Sequence, residues 1–231
     1  MPVIATAGWS IPKGVAQRFP ETGSGLARYA AVFDGVEVNS TFYRRHQATT
    51  FERWAQSVPD GFRFAVKIPR EITHERRLRA VDGPFGTFVE EVSALGGKLG
   101  PLLCQLPPSL RFDAADAGDA FAAMRKTFAG VLVIEPRHRS WATPPADALL
   151  ARYGIDRVLA DPAPVSPAED FPEPARYIRL HGAPRMYHSS YSNAEIQSFG
   201  DRLAVDGWCV FDNTASGAAI ENALTMLDRP A

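Results

Sequence analysis

The chain has only two cysteines, Cys104 and Cys209, placed in separate apolar runs. That scarcity excludes a disulfide framework and a cysteine-based metal spacing. Both read as buried free thiols in a reducing, cytoplasmic setting. Long hydrophobic runs are missing as well, so no membrane-spanning helix is expected. The opening "MPVIATAGWS" has no basic flank and too short an apolar stretch for a secretory leader. Nor is there an excess of one charge. The 25 Lys and Arg stand against 26 Asp and Glu, a net charge of -1. A broad nucleic-acid surface is therefore not expected, and any anion site must be local. There is no solenoid repeat, Walker loop, nucleophile elbow or zinc ribbon.

What is there is an alternation of strands and helices. Val3–Gly8, Gly35–Asn39, Phe62–Pro69, Leu102–Pro108, Val131–Arg137, Asp156–Asp161, Arg176–Gly182 and Gly207–Asn213 read as short apolar strands. Helical patterns at Leu26–Phe33, Thr49–Ser57, Phe85–Leu95, Ala114–Thr127, Pro144–Tyr153, Asn193–Ala204 and Ser216–Leu227 follow all but one of them. The exception is the sixth strand, which runs into a proline-rich connection containing Pro162, Pro164, Pro167, Pro172 and Pro174. Alternation of this kind implies a parallel sheet. Eight units imply a closed TIM-type (β/α)8 barrel, slightly trimmed at the sixth crossover, in one domain over residues 1–231. An open doubly wound sheet is less favoured, because no glycine-rich phosphate turn follows the first strand.

Strand side chains alternate between the barrel interior and the helices, so parity assigns the polar residues. Glu37 and Asn39 share a face. So do Ala65 and Lys67; Val133, Glu135 and Arg137; Tyr177, Arg179 and His181; and Val210 and Asp212. Gln105 is opposite in parity to Cys104. The apolar partners on the other parity belong against helices, which sends the polar sets inward. Buried charges are expensive unless they pair or face a wet pocket. These lie near strand C-terminal ends, where barrel active sites form. Loops after the strands add Trp9, Phe42, Tyr43, His74, His138, Trp141, Tyr187 and Asn213 to the same rim. Rings beside cations and carboxylates suit a polar ligand with an apolar face.

Each group has a chemical role open to it and a structural one. Lys67 suits a general base, a Schiff-base nucleophile or an anion clamp, or it neutralises a carboxylate. Glu135 suits acid–base work, with Glu37 as a second carboxylate, or it pairs with Arg179. Arg137 and Arg179 suit bidentate recognition of an anion, and His181 suits proton transfer. Glu37, Glu135, Asp161, His181 and Asp212 could in principle bind a divalent metal, but the neighbouring cations oppose one, and no resident cofactor is expected.

The motifs "EVNSTFY", "KIPREITH", "QLPPSL", "EPRHRSW", "RLHG" and "VFDNTASGAAIENA" together resemble the family called domain of unknown function 72, or YecE-like. The resemblance runs from about Gly8 to Leu227. It implies a TIM-type barrel and a shared cluster of Glu37, Asn39, Phe42, Tyr43, Lys67, His74, Gln105, Glu135, Arg137, His138, Trp141, Arg179 and His181, without naming a reaction. Pro136 stands where the family pattern usually has an aromatic residue, and Asp212 where it more often has Asn.

The expectation is an enzyme doing acid–base chemistry on a small polar anionic molecule, such as a sugar phosphate or nucleotide-derived compound. Lys67, Glu135 and His181 would move protons, with Glu37 beside them. Arg137 and Arg179 would hold the anion, and Trp9, Tyr43 and Trp141 would flank it. The alternatives are a metal-assisted hydrolase or isomerase, and a non-catalytic binder of nucleic acid or a metabolite.

Overall fold

Parallel pairing begins at the first strand and runs round the molecule. The computed structural model describes residues 1–165 and 171–229. Its strands are β1 (Val3–Thr6), β2 (Gly35–Val38), β3 (Arg63–Lys67), β4 (Leu99–Gln105), β5 (Leu132–Glu135), β6 (Ile155–Arg157), β7 (Leu159–Asp161), β8 (Ala175–Leu180) and β9 (Leu203–Phe211). Hydrogen-bonded order is β2-β3-β4-β5-β6 in one sheet and β1-β9-β8-β7 in the other. Two seams join the sheets into a cylinder. At one, Ala7 bridges Glu37, and Gly8 N donates to Glu37 O at 2.9 Å. At the other, β6 and β7 are one segment interrupted at Val158, whose N donates to Ile134 O at 2.8 Å. The expected sixth strand is thus split into two short ones serving different sheets. The eight strand positions form the TIM-type barrel that the alternation implies.

The helices are α1 (Gly25–Ala30), α2 (Ala48–Gln56), α3 (Asp82–Val92), α4 (Ala114–Thr127), α5 (Pro144–Arg152), α6 (Asn193–Asp201) and α7 (Ala218–Leu227). Their ends follow local chemistry. Asp113 accepts from the backbone of Ala115 and Asp116 to start α4, and Ser192 and Glu195 form a reciprocal capping box on α6. Helix α7 starts later than Ser216, because Gly217 adopts φ 84° and turns the chain before it. No helix lies between β7 and β8 among the described residues. Pro167 of the expected proline-rich connection falls outside them. Among the described residues no helix is long and apolar enough to cross a membrane.

Parity decides what fills the cylinder. Ile4, Val36, Val38, Phe64, Val66, Cys104, Leu132, Ile134, Ile178, Leu180, Cys209 and Phe211 face the helices in the larger core. A second cluster fills the interior: Ala5, Ala65, Leu103, Val133, Val158, Ala160, Tyr177, Trp208 and Val210. Barrel interiors are usually layers of branched side chains. Here small residues make room for two large rings, Tyr177 and Trp208, stacked with centroids 6.2 Å apart at 11°. Gly35 and Gly100 complete the space. A Cβ on Gly35 would come within 2.5 Å of Val3 Cγ1 and 2.9 Å of the Trp208 ring.

Replacing Gly35 with alanine therefore overpacks the floor. Gly35→Ala lowers the unfolding free energy by about 1–3 kcal/mol, and the pair Gly35→Ala with Val3→Ala loses less than the sum of the single changes. Denaturant titration checks both. Strict additivity would mean that Val3 is not what the new methyl meets.

Candidate functional site

Above the ring layer, β2, β5, β8 and β9 send charged side chains to one point. The Arg179 guanidinium is fully buried there. Its Nε donates to Glu37 Oε2 at 3.0 Å, and Nη2 donates to Glu37 Oε1 at 2.8 Å and Asp212 Oδ2 at 2.9 Å. Nη1 donates to Glu135 Oε2 at 2.5 Å. Tyr177 from the layer beneath donates its hydroxyl to Glu37 Oε2 at 2.8 Å. Tyr177 has inward parity but was not among the expected site residues. The neighbouring Arg179 two residues on was the available signal.

His181 extends the cluster toward the mouth. Its Nδ1 is 3.0 Å from Asp212 Oδ2, and its Nε2 is 3.3 Å from Glu135 Oε1. Arg137 Nε donates to Glu135 Oε1 at 2.8 Å. Tyr187 lies beside Arg137 and sets its ring edge-on to His181, with centroids 5.7 Å apart. Tyr187 takes φ 67°, a conformation that a non-glycine residue rarely adopts. The loop after β8 is held there over the cluster.

The electrostatics follow from this crowding. Burial alone would raise the Glu135 and Asp212 carboxyls, but Arg179 and His181 outweigh it and hold both below their ordinary values. Burial likewise opposes charge on His181, yet Glu135 and Asp212 outweigh it and raise its pKa. His181 thus holds its proton more firmly than an ordinary histidine.

The opposite wall is different. Lys67, at the end of β3, is 7% exposed, and its Nζ lies 4.3 Å from the centroid of the Phe42 ring. Among the described residues its ammonium has neither an ion pair nor a hydrogen bond. Burial, together with the Arg179 charge, lowers its pKa to about 8 against the opposing pull of Glu37, Glu135 and Asp212. Gln105, 9% exposed at the end of β4, also has no side-chain hydrogen bond. Asn39 Oδ1, just after β2, is buried without a partner. His74 packs edge-on to Phe42 at 4.9 Å. Burial and the charges of Lys67, Arg70 and Arg137 lower its pKa to about 4, so it is neutral at pH 7.

Several expected rim residues sit elsewhere. Trp141 is 1% exposed, donates from Nε1 to Leu110 O at 3.0 Å and packs on Phe112 and Phe121, so it belongs to the helix-side core. His138 caps the turn at Arg139–Trp141 by accepting from Ser140 N. Asn213 has outward parity and donates to Ser189 O and Asn222 Oδ1, pinning the loop after β8 to α7. Trp9 stacks edge-on against Trp54 of α2. Tyr43 is 75% exposed, with its ring edge-on to Phe42 at 5.0 Å between centroids. Asp161 points toward the helices and accepts from the Tyr191 hydroxyl at 2.8 Å. Arg179, expected to clamp an anion, is instead fully engaged with carboxylates. Its guanidinium also fills the space between Glu37, Glu135 and Asp212 that a metal ion would need. Among the described residues no group of three or more His, Cys, Asp or Glu is arranged to hold a metal.

A parallel eight-position barrel with a charged cluster at its strand C-terminal ends defines a TIM-type barrel protein with a polar mouth. The chain belongs to a family described as "Protein of unknown function DUF72", whose model matches residues 3–231. It is similar to the UPF0759 protein YunF of Bacillus subtilis (strain 168), 24% identical over 97% of this chain and 93% of YunF. It is 34% identical to the UPF0759 protein YecE of Escherichia coli (strain K12), in a match spanning 43% of this chain and only 35% of YecE. A DUF72 family protein from Thermotoga maritima superposes with a TM-score of 0.80 at 25% identity, covering 98% of each chain.

Two stability effects follow from the two walls. Glu37→Gln removes a charge bonded twice by Arg179 and once by Tyr177, and costs about 3–5 kcal/mol in urea unfolding. A loss under about 1 kcal/mol would mean that Glu135 and Asp212 suffice to hold Arg179. Lys67 acts in the other direction. Its pKa is about 8 folded against 10.5 as the ordinary value, so between these values the folded protein binds fewer protons and its stability rises with pH. Below about pH 8 the folded state carries the full burial penalty. Lys67→Met thus raises the unfolding free energy at pH 7 by about 2–3 kcal/mol, a gain that shrinks as pH rises from about 8 to 10.5. A variant that is destabilised throughout would show that the carboxylates favour the ammonium more than burial disfavours it.

Proposed function

We propose that the mouth is the active site of an enzyme doing acid–base chemistry on a small polar anionic molecule, with a sugar phosphate or nucleotide-derived compound as the class that fits. The observation that carries this reading is Lys67, a nearly buried ammonium with no carboxylate beside it. A cation left unpaired inside a protein is costly, and an incoming anion offsets that cost. The unpartnered amide of Gln105 adds a neutral donor and acceptor on the next strand.

The two walls divide the work. The Arg179 cluster is internally satisfied and acts as a rigid, charged backing. His181, with its proton held by Asp212 and Glu135, is the acid, and neutral His74 is positioned as a base. Arg137, steadied by Glu135 and Tyr187, supports Lys67 in binding the anion. The loop bearing Tyr187 limits water at the mouth. Phe42 supplies the apolar face against which a sugar or base ring rests.

A thermal-shift screen with phosphorylated sugars and nucleotides tests this reading. A fitting ligand raises the wild-type Tm by several degrees, roughly as expected for saturation well above Kd. The shift disappears in Lys67→Met. Equal shifts in wild type and variant for every ligand would place binding outside this mouth.

A further inference from the structure

Lys67 has a second property that an anion clamp alone does not need. The chain has 25 Lys and Arg residues, of which only Lys13, Lys67, Lys98 and Lys126 are lysine. Lys and Arg positions in this protein are overwhelmingly arginine, including both guanidinium groups of the mouth, Arg137 and Arg179. Arginine is the better anion holder, because its fork matches a carboxylate or phosphate in two bonds. Arginine also keeps its proton throughout the accessible pH range and is no nucleophile. The one lysine of the barrel interior stands at a strand end, facing the mouth.

Its surroundings are those of a nucleophile more than of a structural charge. Lys98, the other partly buried lysine, is tied down, with Nζ donating to Ala55 O and Val58 O at 2.8 Å each. Lys67 Nζ is tied to nothing but the face of Phe42. Desolvation and a neighbouring cation are the two conditions that free a lysine amine for attack on a carbonyl. Arg179 supplies the neighbouring charge from within its own carboxylate cage. On the strand beside Lys67, Gln105 keeps its amide unpartnered, and Asn39 Oδ1 is unpartnered just after the strand on the other side.

We infer that Lys67 is a covalent catalytic residue that forms a Schiff base with an aldehyde or ketone, so that the substrate of this site is a carbonyl compound. The inference rests on the mouth being the active site and names the functional group of its ligand. The neutral amine attacks the carbonyl carbon; a C–N bond forms as the C=O π pair moves to oxygen, which takes a proton while nitrogen gives one up. The carbinolamine hydroxyl then leaves as water after accepting a further proton, supplied by His181, and nitrogen forms the C=N bond. The net change is a neutral lysine amine, a carbonyl and a protonated His181 giving a protonated imine, water and a neutral His181, with charge and atoms conserved and no redox partner. Gln105 is placed to hydrogen-bond the carbinolamine oxygen on its way out. The protonated imine then withdraws electrons from the adjacent carbon.

Reductive trapping tests this directly. The full chain is incubated with glycolaldehyde and sodium cyanoborohydride, and the modified lysines are located by peptide mass spectrometry. Burial alone would make Lys67 the slowest lysine to react. The expected result is labelling of Lys67 about tenfold faster than Lys13 or Lys126, absent in Lys67→Arg, which keeps the charge and shows that the exposed lysines still react at their former rate. Labelling of Lys67 no faster than the exposed lysines overturns the inference. Stabilisation by inorganic phosphate, measured in parallel on wild type and Lys67→Met, separates the two readings. A Lys67-dependent phosphate shift without selective labelling leaves an anion site and removes the covalent step. Neither a shift nor labelling removes both.

Discussion

The Arg179 guanidinium, buried among three carboxylates from three strands, is the constraint on which the barrel mouth depends. Four charge-assisted hydrogen bonds hold it. Removing any carboxylate leaves charge unbalanced in a place where water cannot compensate. The cluster therefore fixes the orientation of Glu37, Glu135 and Asp212, and through them His181, Arg137 and Tyr177. It is also why the floor of the barrel is built as it is. Tyr177 must bring a hydroxyl up to Glu37, so its ring and that of Trp208 fill the layer below, and Gly35, Ala5, Ala65 and Ala160 stay small.

The mouth is thereby asymmetric. On the side of β5, β8 and β9 every charge has its partner. On the side of β2, β3 and β4 the Lys67 ammonium and the Gln105 amide have no hydrogen-bond partner among the described residues, and Asn39 Oδ1 is buried without one. A purely structural ion cluster would have consumed Lys67, because Glu37 and Glu135 are close enough to feel its charge. The protein instead gives those carboxylates to Arg179 and leaves Lys67 on an aromatic face. The proposed chemistry draws on that unequal distribution more than on the number of polar residues.

Much of this was legible from alternation alone. Period-two parity on β2, β3, β4, β5, β8 and β9 places Glu37, Lys67, Gln105, Glu135, Arg179, His181 and Asp212 inside, because a strand has only two faces and the apolar set claims one. Loop residues carry no such rule. Trp141 and His138 follow the same strand as Glu135, yet one turns into the helix-side core and the other caps a turn. Asn213 lies one residue past Asp212 and so falls on the other face. Parity was also silent on stoichiometry: that one guanidinium absorbs three carboxylates is a matter of distance in space. The interruption at Val158 left no mark in an apolar run that reads as a single strand.

That interruption, together with the single bridge between Ala7 and Glu37, makes the wall of the cylinder two half-shells sharing few backbone bonds. Glu37 and Glu135 belong to one half-shell; Arg179, His181, Asp212 and Tyr177 to the other. The ion cluster is then a rivet across the joints, and Trp208 against Gly35 and Gly100 is its apolar counterpart at the opposite end. Chemistry and mechanical closure meet in the same atoms. A ligand that draws on the charge of Glu135 or Asp212 also changes the grip of one half of the barrel on the other.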